Sequence, residues 1–456
     1  MQYNKKDILK ILTFDNLVNI NYYYSNKRLN ILNRKIRPKI LIPSIFYSII
    51  LFFVKWIKQS LILNAYNQKV NDKPIMITSF TKNQRDAVKN LITERNDVLV
   101  IGDKNFGDLI LPEYKAFYYS LPYLWDLTKK YKSSKGYVRK SFKYIFHDYW
   151  LTYGYLKMLI NYLKKNKVNL VIVSNDHSMR TRIPILACKA INIKSLYLQH
   201  ASIGSKFPRL AYDFALLEGL DSLDKYMKIG KIDSTVFLIG SLKMAGKVSI
   251  NSKNKIHIIG ICFGLNDSLD IVEDVIKEML KIFIGKEIIL RCHPREVRLN
   301  FLTKMKTKYE IRISDSRKHH VVNFLAETDS IISGESNIHL EAASMNVLPI
   351  FYKLSKDKNE EFDVYGFIRN NLIKNICHST DELSSIILIQ KEQREKVRHL
   401  TKYYDSTVNS MYEGNTKELY KQVVTFINTG DSQFIDKNFD CKIIKGVKVY
   451  CIKNNL

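Results

Sequence analysis

The chain has 456 residues, of which 46% are hydrophobic and 25% charged, with only 17 Gly and 9 Pro. This composition is typical of a folded protein with two or three domains, and it excludes a disordered chain, a fibrous chain and a small disulfide scaffold. The 72 Lys and Arg residues outnumber the 44 Asp and Glu residues and give a formal net charge of +28. That charge favours anionic partners, unless it reflects lysine enrichment on solvated faces. Because no nucleic-acid-binding module is recognisable, we expect no nucleic-acid partner.

The N-terminal residues carry charges of both signs and contain no apolar core followed by a cleavage site, so we expect no signal peptide. The cysteines occur singly, without the spacing of a zinc site or a disulfide framework, and this usage fits a reducing cytoplasm. They lie at Cys188, Cys262, Cys292, Cys377, Cys441 and Cys451.

The segment Ile40–Val54 is apolar but contains Pro43, and it is shorter than the ~20 residues that a membrane-spanning helix needs. As a helix over Ile40–Leu63 it would have a wide apolar face with one narrow polar stripe. Two interpretations stay open, a helix lying in the membrane interface beside anionic lipid and a helix packed against the protein's own core. The first is favoured by the preceding basic residues Arg34, Lys35, Arg37 and Lys39.

From Pro74 onward, short apolar runs alternate with helical patterns, which predicts a parallel α/β sheet. The strands of this first series are Ile75–Phe80, Asp97–Ile101, Leu170–Val173, Ser195–Leu198 and Phe214–Leu216, with a helix over Lys82–Ile92.

A second series follows the polar stretch Asn251–Lys255. Its strands are Ile256–Cys262, Glu287–Arg291, Glu310–Ile313, Ser330–Ile332 and Val347–Tyr352, and its helices are Leu269–Phe283, His320–Glu327 and Asn337–Met345.

The fold class predicted from these patterns is α/β, with two doubly wound Rossmann-like domains facing a central cleft. The expected regions are a basic, amphipathic helical region over 1–70, two domains over 71–250 and 251–380, and C-terminal helices with a tail over 381–456. Within that tail, Asp431–Leu456 receives no structural prediction. Because the carboxyl ends of parallel strands line such a cleft, the loops after strands are where chemistry is expected.

The first candidate loop ends the strand Ile288-Ile-Leu-Arg-Cys-His-Pro-Arg-Glu296. Arg291 could grip two phosphate oxygens in a fork, and His293 could donate a further hydrogen bond. Pro294 would stiffen the turn. The alternative is that His293 only bonds backbone carbonyls.

A small-residue turn over Ser333–Ser336 provides the second candidate, because the helix after it would be capped by Ser336 and would present free N–H groups to a phosphate. Glu341 in that helix could accept hydrogen bonds from ribose hydroxyls, although the turn could also serve capping alone. Gly264, after the first strand of the second domain, could let the backbone approach a phosphate, but ordinary turn chemistry is the stronger interpretation.

A transferase that activates an acceptor hydroxyl also needs a general base. Two strand ends of the first domain supply the leading candidates, His200 and Asp176, and Glu218 before Gly219 is a third. Asp176 could instead cap the following helix. The motifs GxSxG, GxxxxGK[ST], HExxH and GxGxxG are absent, as is an Asp-X-Asp pair at a strand end, so we expect neither a cofactor nor a required metal ion.

These residues resemble the two-domain GT-B glycosyltransferases of bacterial surface polysaccharide synthesis, most clearly over Ile256–Tyr352. Arg291-Cys-His-Pro294 is similar to the His-Pro motif of bacterial sialyltransferases and capsule Kdo transferases, whose His contacts the phosphate of a CMP-sugar. The turn Ser333–Ser336 is similar to their serine motif, and Ser336 through Glu341 resembles the ribose-binding region of wider GT-B enzymes.

The first domain departs from that pattern, since only Glu218-Gly219 remotely matches the acidic base motif of the sialyltransferases. Gln199-His200 instead resembles the catalytic His loop of the CDP-glycerol polymerases of teichoic acid synthesis, which share the later His-Pro element.

The resemblance implies an inverting, metal-independent glycosyltransferase that moves a sialic-acid-like nonulosonic acid or Kdo from a CMP-sugar to a surface polysaccharide or lipooligosaccharide. It implies His200 or Asp176 as the base, with Arg291, His293, Ser333 and Ser336 at the nucleotide phosphate. The implied location is cytoplasmic, peripheral on the inner face of the cytoplasmic membrane. The alternatives are a polyol-phosphate or UDP-sugar transferase on the same fold and a non-catalytic membrane-associated partner of capsule assembly.

Overall fold

The computed structural model contains two β-sheets built mainly from parallel strands, each with helices on its faces, which confirms the predicted α/β architecture of two doubly wound domains. It describes residues 3–22, 44–61, 73–93, 95–102, 107, 109–175, 178–200, 202–204, 207–242, 250–251, 256–282, 284–356, 362–383 and 391–453.

Helix α1 (Lys5–Ile11) begins at a capping box, in which the Asn4 side chain accepts the N–H groups of Lys6 and Asp7 and Asp7 bonds back to the Asn4 N–H. Residues 14–22 are also helical. The next described helix, α2 (Ser44–Ser60), lies within the apolar segment identified above.

Helix α2 packs one face against the first domain and exposes the other. Phe52 is fully buried and stacks on Trp150 with ring centroids 3.9 Å apart. The opposite face exposes large apolar side chains to solvent, namely Phe46, Tyr47, Ile50, Phe53, Val54 and Ile57. Packing against the protein's own core is therefore confirmed for one face only. Among the described helices, none combines the length and the apolar character that a membrane crossing requires. The basic residues between 34 and 39 lie outside the described residues.

The first sheet has the strand order β13-β14-β6-β5-β4-β3-β1-β2. Its strands from the first half of the chain are parallel and read as nearly continuous apolar runs, because helices cover both faces. These strands are β1 (Ile75–Ser79), β2 (Val98–Gly102), β3 (Leu170–Val173), β4 (Lys194–Leu198), β5 (Phe214–Leu217) and β6 (Thr235–Leu238). The helices are α3 (Lys82–Thr93), α4 (Glu113–Ser120), α5 (Leu124–Ser133), α6 (Gly136–Lys165), α7 (Met179–Ile191) and α8 (Leu220–Ile229).

The second sheet is parallel throughout, with the order β12-β11-β10-β7-β8-β9. Its strands are β7 (Ile258–Phe263), β8 (Glu287–Cys292), β9 (Arg312–Ser314), β10 (Ser330–Ser333), β11 (Leu348–Tyr352) and β12 (Asn375–Cys377). The helices between them are α9 (Leu269–Ile282), α10 (Leu299–Tyr309), α11 (Val321–Glu327) and α12 (Ile338–Ser344).

The C-terminal region begins on the second domain, where α13 (Lys391–Leu400) contacts α12, and then returns to the first domain. Its later elements are α14 (Thr416–Thr429), α15 (Gln433–Asn438), β13 (Phe439–Ile444) and β14 (Val447–Ile452). The last two strands form an antiparallel hairpin, and β14 pairs in parallel with β6. The tail that the sequence analysis left unplaced therefore completes the first sheet. The hairpin turn consists of Lys445 and Gly446, both with positive φ, as a two-residue type I′ turn requires.

The returning chain packs tightly against the carboxyl end of β5. The Ser406 N–H donates to the Glu218 carbonyl at 2.9 Å. A Cβ atom on Gly219 would lie 2.6 Å from the Tyr404 carbonyl group, so this close approach of two backbone segments requires glycine. The junction between the domains is thus built on the same strand end that carries Glu218.

Candidate active site

A loop of the first domain meets a turn of the second domain at the carboxyl ends of the two sheets. The Ser202 hydroxyl, in the loop after β4, donates to Asn337 Oδ1 at 2.9 Å, in the turn between β10 and α12. His200 lies two residues before this contact with a half-buried side chain. The structure therefore brings the predicted His200 loop against the predicted turn Ser333–Ser336, called the serine turn below, as expected for strand ends that face one cleft.

Glu218 anchors the start of the His200 loop. The Gln199 side chain donates to Glu218 Oε2 at 3.2 Å and accepts the Glu218 backbone N–H at 2.9 Å. The Ser241 hydroxyl donates to the other carboxylate oxygen at 3.1 Å, and Glu218 is only 7% exposed. Because both oxygens already accept hydrogen bonds inside the protein, the prediction of Glu218 as a base candidate is corrected to a structural role.

The remaining base candidate, Asp176, lies outside the described residues, as does its neighbour His177. Helix α7 begins with Ser178 as its N-cap residue, and the Ser178 N–H donates to the Thr181 hydroxyl. The N-cap position that the sequence analysis offered to Asp176 is therefore occupied by Ser178.

His293 presents a defined hydrogen-bond donor at the end of β8. Its ring Nδ1 accepts the Arg295 backbone N–H at 3.1 Å, so the neutral ring carries its proton on Nε2. Partial desolvation, together with the charge of Arg295, lowers the pKa of His293 and favours this neutral form. The side chain is exposed, and Nε2 has no partner among the described residues. The ring therefore accepts a backbone bond on one side and offers an N–H on the other, so the alternative of bonding only to carbonyls is wrong.

Pro294 follows His293 in an exposed turn that is closed by the Glu296 N–H donating to the His293 carbonyl at 2.9 Å. Proline fits this place because it fixes φ and needs no acceptor for an N–H group. The predicted stiffening role of Pro294 agrees with this geometry.

Arg291 lies two residues before His293 but points into the second domain. Its Nη1 donates to the Ser314 hydroxyl at 2.6 Å, and its Nη2 donates to the His319 carbonyl at 3.1 Å. The guanidinium also lies over the Phe324 ring, 4.9 Å from its centroid, and Arg291 is only 6% exposed. The prediction that Arg291 grips the donor phosphate is therefore corrected, because this side chain holds β8, β9 and α11 together.

The serine turn is fixed from three sides. The Ser333 hydroxyl donates to the Cys262 carbonyl at 3.0 Å, and His339 Nε2 donates to the Gly334 carbonyl at 2.9 Å. The Glu335 carboxylate accepts the backbone N–H groups of Asp363 and Val364. Because the single hydroxyl proton of Ser333 is used inside the turn, the prediction that Ser333 donates to a phosphate is corrected to a structural role.

The Ser336 hydroxyl, unlike that of Ser333, does not use its proton within the turn. Helix α12 begins after Asn337 as its N-cap, one residue later than predicted, and the Ser336 hydroxyl oxygen accepts the Ile338 N–H at a long 3.4 Å. The hydroxyl proton of this half-buried side chain has no acceptor among the described residues. Ser336 can therefore donate to a ligand in the cleft.

Glu341 is half-buried in the first turn of α12. Its charge acts on the buried Cys262 thiol, whose pKa is raised to about 12, chiefly by burial. It also acts on Arg291, so the carboxylate lies near the carboxyl ends of β7 and β8. The contact with ribose stays a prediction.

The Gly264 loop is closed by its own residues. The Gly264 N–H donates to Asp267 Oδ2 at 2.6 Å, and its carbonyl accepts from Arg298 at 3.0 Å. Glu296, 3% exposed, holds Arg298 through a bond of 2.7 Å. The prediction that Gly264 binds the donor is corrected, because its N–H is already used in an ordinary turn.

Sequence reasoning missed the residues that support these loops, namely Ser202, Glu296, Arg298, Asn337 and His339. Glu296 and Arg298 do lie beside the predicted His-Pro loop, but their bonds to the Gly264 loop depend on the folded chain. Within the described ranges, no three His, Cys, Asp or Glu side chains are grouped as metal ligands.

No family model matches the chain, and no curated protein is similar to it in sequence. Among solved structures it is similar to a protein named as a UDP-N-acetylglucosamine 2-epimerase from Listeria monocytogenes, at 12% identity over 78% of this chain and 96% of that one, with a TM-score of 0.49. It is also similar to the calicheamicin glycosyltransferase CalG4, at 8% identity over 79% and 99%, with a TM-score of 0.48. The wall teichoic acid polymerase TagF aligns at 12% identity over 84% and 98%, with a TM-score of 0.46.

Proposed function

We propose that the protein is an inverting glycosyltransferase that moves a sugar from a nucleotide donor to a hydroxyl of a surface glycan. The observation that carries this proposal is the hydrogen bond between Ser202 and Asn337. It holds a loop containing a potential base, His200, against a turn that offers the Ser336 hydroxyl. The exposed His293 ring follows β8 of the same sheet, which is separated from β10 by β7.

In this reaction His200 takes the proton from the acceptor hydroxyl as its oxygen attacks the anomeric carbon. The bond from that carbon to the phosphate oxygen breaks, and its electron pair leaves with the nucleotide. His293 Nε2–H and the Ser336 hydroxyl donate to the departing phosphate, whose negative charge grows in the transition state. A single displacement of this kind inverts the anomeric configuration.

The donor proposed is a CMP-linked nonulosonic acid or Kdo. The resemblance of the His-Pro and serine motifs supports it, and so does the charge of the site. His293 is favoured in its neutral form and Ser336 is neutral, while the buried Arg291 is used elsewhere. Two neutral donors beside the single charge of Arg295, which acts on His293, suit the one phosphate of CMP; a diphosphate carries more charge. Transfer is accordingly proposed to need no metal ion, and activity should survive chelation by EDTA.

The test combines nucleotide binding with turnover. Thermal shifts with CMP, CDP, UMP, UDP, GDP and ADP show which nucleotide stabilises the native state. CMP is expected to give the largest shift, and CMP-sugar should then be consumed in the presence of an acceptor glycan. A preference for UDP or CDP would support the UDP-sugar or polyol-phosphate transferase instead. Absence of any shift and of any turnover would contradict an enzyme and favour the non-catalytic partner.

The substitution His293→Ala removes the ring donor and should abolish most of the transfer. His257→Ala is the matched control, since His257 is an exposed histidine of the same domain at the opposite end of the sheet. Equal losses in both variants would contradict the assigned role of His293.

We also propose that helix α2 binds the enzyme peripherally to the inner face of the cytoplasmic membrane, where lipid-linked acceptors would be reached. The exposed apolar face of α2 supports this, with Phe46 60%, Val54 55% and Ile57 64% exposed. The net charge of +28 complements anionic headgroups, and an apolar helix face beside cations is typical of interfacial helices.

Cosedimentation with phosphatidylglycerol vesicles and with phosphatidylcholine vesicles tests this membrane proposal. The wild type should sediment with the anionic vesicles, and the double variant Phe46→Ser/Ile57→Ser should stay in the supernatant. Ile443→Ser is the control, because Ile443 is 71% exposed on β13, far along the chain from α2. Unchanged sedimentation of the double variant would contradict the proposal. If the wild type were a dimer and the double variant a monomer, the apolar face of α2 would instead be a contact with a second copy of the chain.

A further inference from the structure

A pocket of about 240 Å³ lies at the domain junction, apart from the loops described above. One wall is helix α8 of the first domain, and the other is formed by residues 364–370 of the second domain together with Tyr403 of the returning chain. The pocket is therefore complete only when the two domains are in contact.

The two carboxylates of the pocket are already compensated. Lys225 Nζ lies 2.6 Å from Asp221 Oδ2, and the Tyr403 hydroxyl donates to Asp224 Oδ2 at 2.6 Å. Lys445 also lies 3.7 Å from Asp224. Burial raises the pKa of Asp221, whereas the charges of Lys225 and Arg369 lower it.

Two further cations line the pocket without a direct ion pair. Lys228 on α8 and Arg369 on the facing segment are exposed, and neither side chain lies within hydrogen-bond distance of a carboxylate among the described residues, although the charge of Arg369 acts on Asp221. One comes from each domain. A ligand that carries two negative charges would pair with both cations at once and would bridge the domains.

We propose that this pocket binds a phosphate dianion, either inorganic phosphate or the phosphate group of a small monoester, between Lys228 and Arg369. The pocket volume is below the range of roughly 300–1,000 Å³ that is usual for the sites of drug-sized ligands. It suits a ligand as small as a phosphate group. This proposal goes beyond the proposed transferase activity and does not depend on it.

The pocket wall is connected to the serine turn. Lys225 donates to the Tyr365 carbonyl at 2.8 Å, and Glu335 of the turn accepts the N–H groups of Asp363 and Val364. A phosphate bound in the pocket would therefore stabilise the segment Asp363–Tyr365, which contacts the serine turn. Phosphate binding would thereby affect the cleft.

The experiment is calorimetric titration of the nucleotide-free protein with inorganic phosphate, at constant ionic strength maintained with chloride. The wild type should bind phosphate saturably, and Lys228→Gln and Arg369→Gln should each weaken the affinity by about tenfold or more, as expected for loss of one charge-assisted bond. Lys417→Gln, which neutralises an exposed lysine on α14, is the matched control and should bind like the wild type.

His293→Ala separates this pocket from the cleft, because that variant should keep phosphate binding while it loses nucleotide binding. The proposal is overturned if the wild type shows no saturable phosphate binding, if neither pocket variant weakens it, or if only His293→Ala removes it. A small sugar phosphate titrated in parallel distinguishes a monoester ligand from free phosphate. Failure of the transferase proposal would leave the phosphate-binding outcomes unchanged.

Discussion

The carboxyl ends of β5 and β8 both carry an ionisable side chain near the cleft, but the two regions differ in how their polar atoms are used. Both carboxylate oxygens of Glu218, after β5, accept bonds from Gln199 and Ser241. At the end of β8, one nitrogen of His293 accepts a backbone N–H and the other remains exposed as a donor. A residue type at a strand end indicates where chemistry is possible, whereas the use of its hydrogen bonds decides whether the group is available.

This comparison assigns different roles to the two regions. Glu218 lies where the returning chain is fixed against the first domain, so its substitution should affect stability. His293 makes no contact that fixes another element through its Nε2, so its substitution should affect chemistry. The following predictions separate the two roles.

The largest effect is expected at His293. Replacement by Ala should lower kcat by about 10²–10³-fold, as is typical when one donor to developing negative charge is lost. The melting temperature should stay close to that of the wild type because the side chain is exposed. Steady-state transfer assays and thermal unfolding of the same preparation check both expectations. A large fall in melting temperature would show that His293 acts as a structural residue like Glu218.

The next effect concerns His339, which ties the serine turn through Gly334. Burial lowers the pKa of His339 to about 4, so the unfolded chain binds more protons than the native state between about pH 4 and pH 6.5. Stability should therefore rise with pH across this window by about 3 kcal/mol and then level off.

The variant His339→Gln keeps an N–H donor for Gly334 but has no such titration. The difference in unfolding free energy between the wild type and this variant, measured by denaturant titration across the pH window, isolates the contribution of His339. A difference that does not change with pH would contradict the buried neutral ring.

Glu218→Gln should reduce the free energy of unfolding by about 2 kcal/mol, because the amide cannot accept both the Gln199 and the Ser241 bonds. Turnover should stay close to that of the wild type. If turnover instead fell as far as in His293→Ala without a loss of stability, Glu218 would be a base and the comparison between the strand ends would fail.

The smallest effect is expected at the contact between the two loops. Ser202→Ala, Asn337→Ala and the double variant form a double-mutant cycle on the bond between these side chains. A coupling energy of about 1 kcal/mol is expected for one neutral hydrogen bond. Denaturant unfolding of the four proteins measures the coupling, and additive single effects would contradict a direct contact.

The fold could be predicted from the sequence because buried parallel strands leave a strong local signal. Ile75–Ser79 and Ile258–Phe263, for example, are short apolar runs bounded by polar residues, and their strands lie where the pattern indicated. The hairpin of β13 and β14 was missed, although Lys445-Gly446 is compatible with a tight turn. Its pairing with β6 joins residues more than two hundred positions apart, which no local pattern reveals.

The candidate site was predictable in its position but only partly in its chemistry. The loops of His200, His293 and Ser336 lie at the carboxyl ends of their strands, where the topology of the two sheets places them. The direction of Arg291 depends on Ser314 and on the Phe324 ring, which reach it only in the folded domain. Glu218 was misassigned for the same reason, since its two carboxylate oxygens accept hydrogen bonds from residues of two other segments.

The most direct test of the central claim is thermal stabilisation by CMP, measured in parallel for the wild type, Glu218→Gln and His293→Ala. The account predicts that CMP raises the melting temperature of the wild type and of Glu218→Gln by similar amounts and fails to stabilise His293→Ala. Equal stabilisation of all three proteins, or none of the wild type, would contradict a nucleotide site at the end of β8.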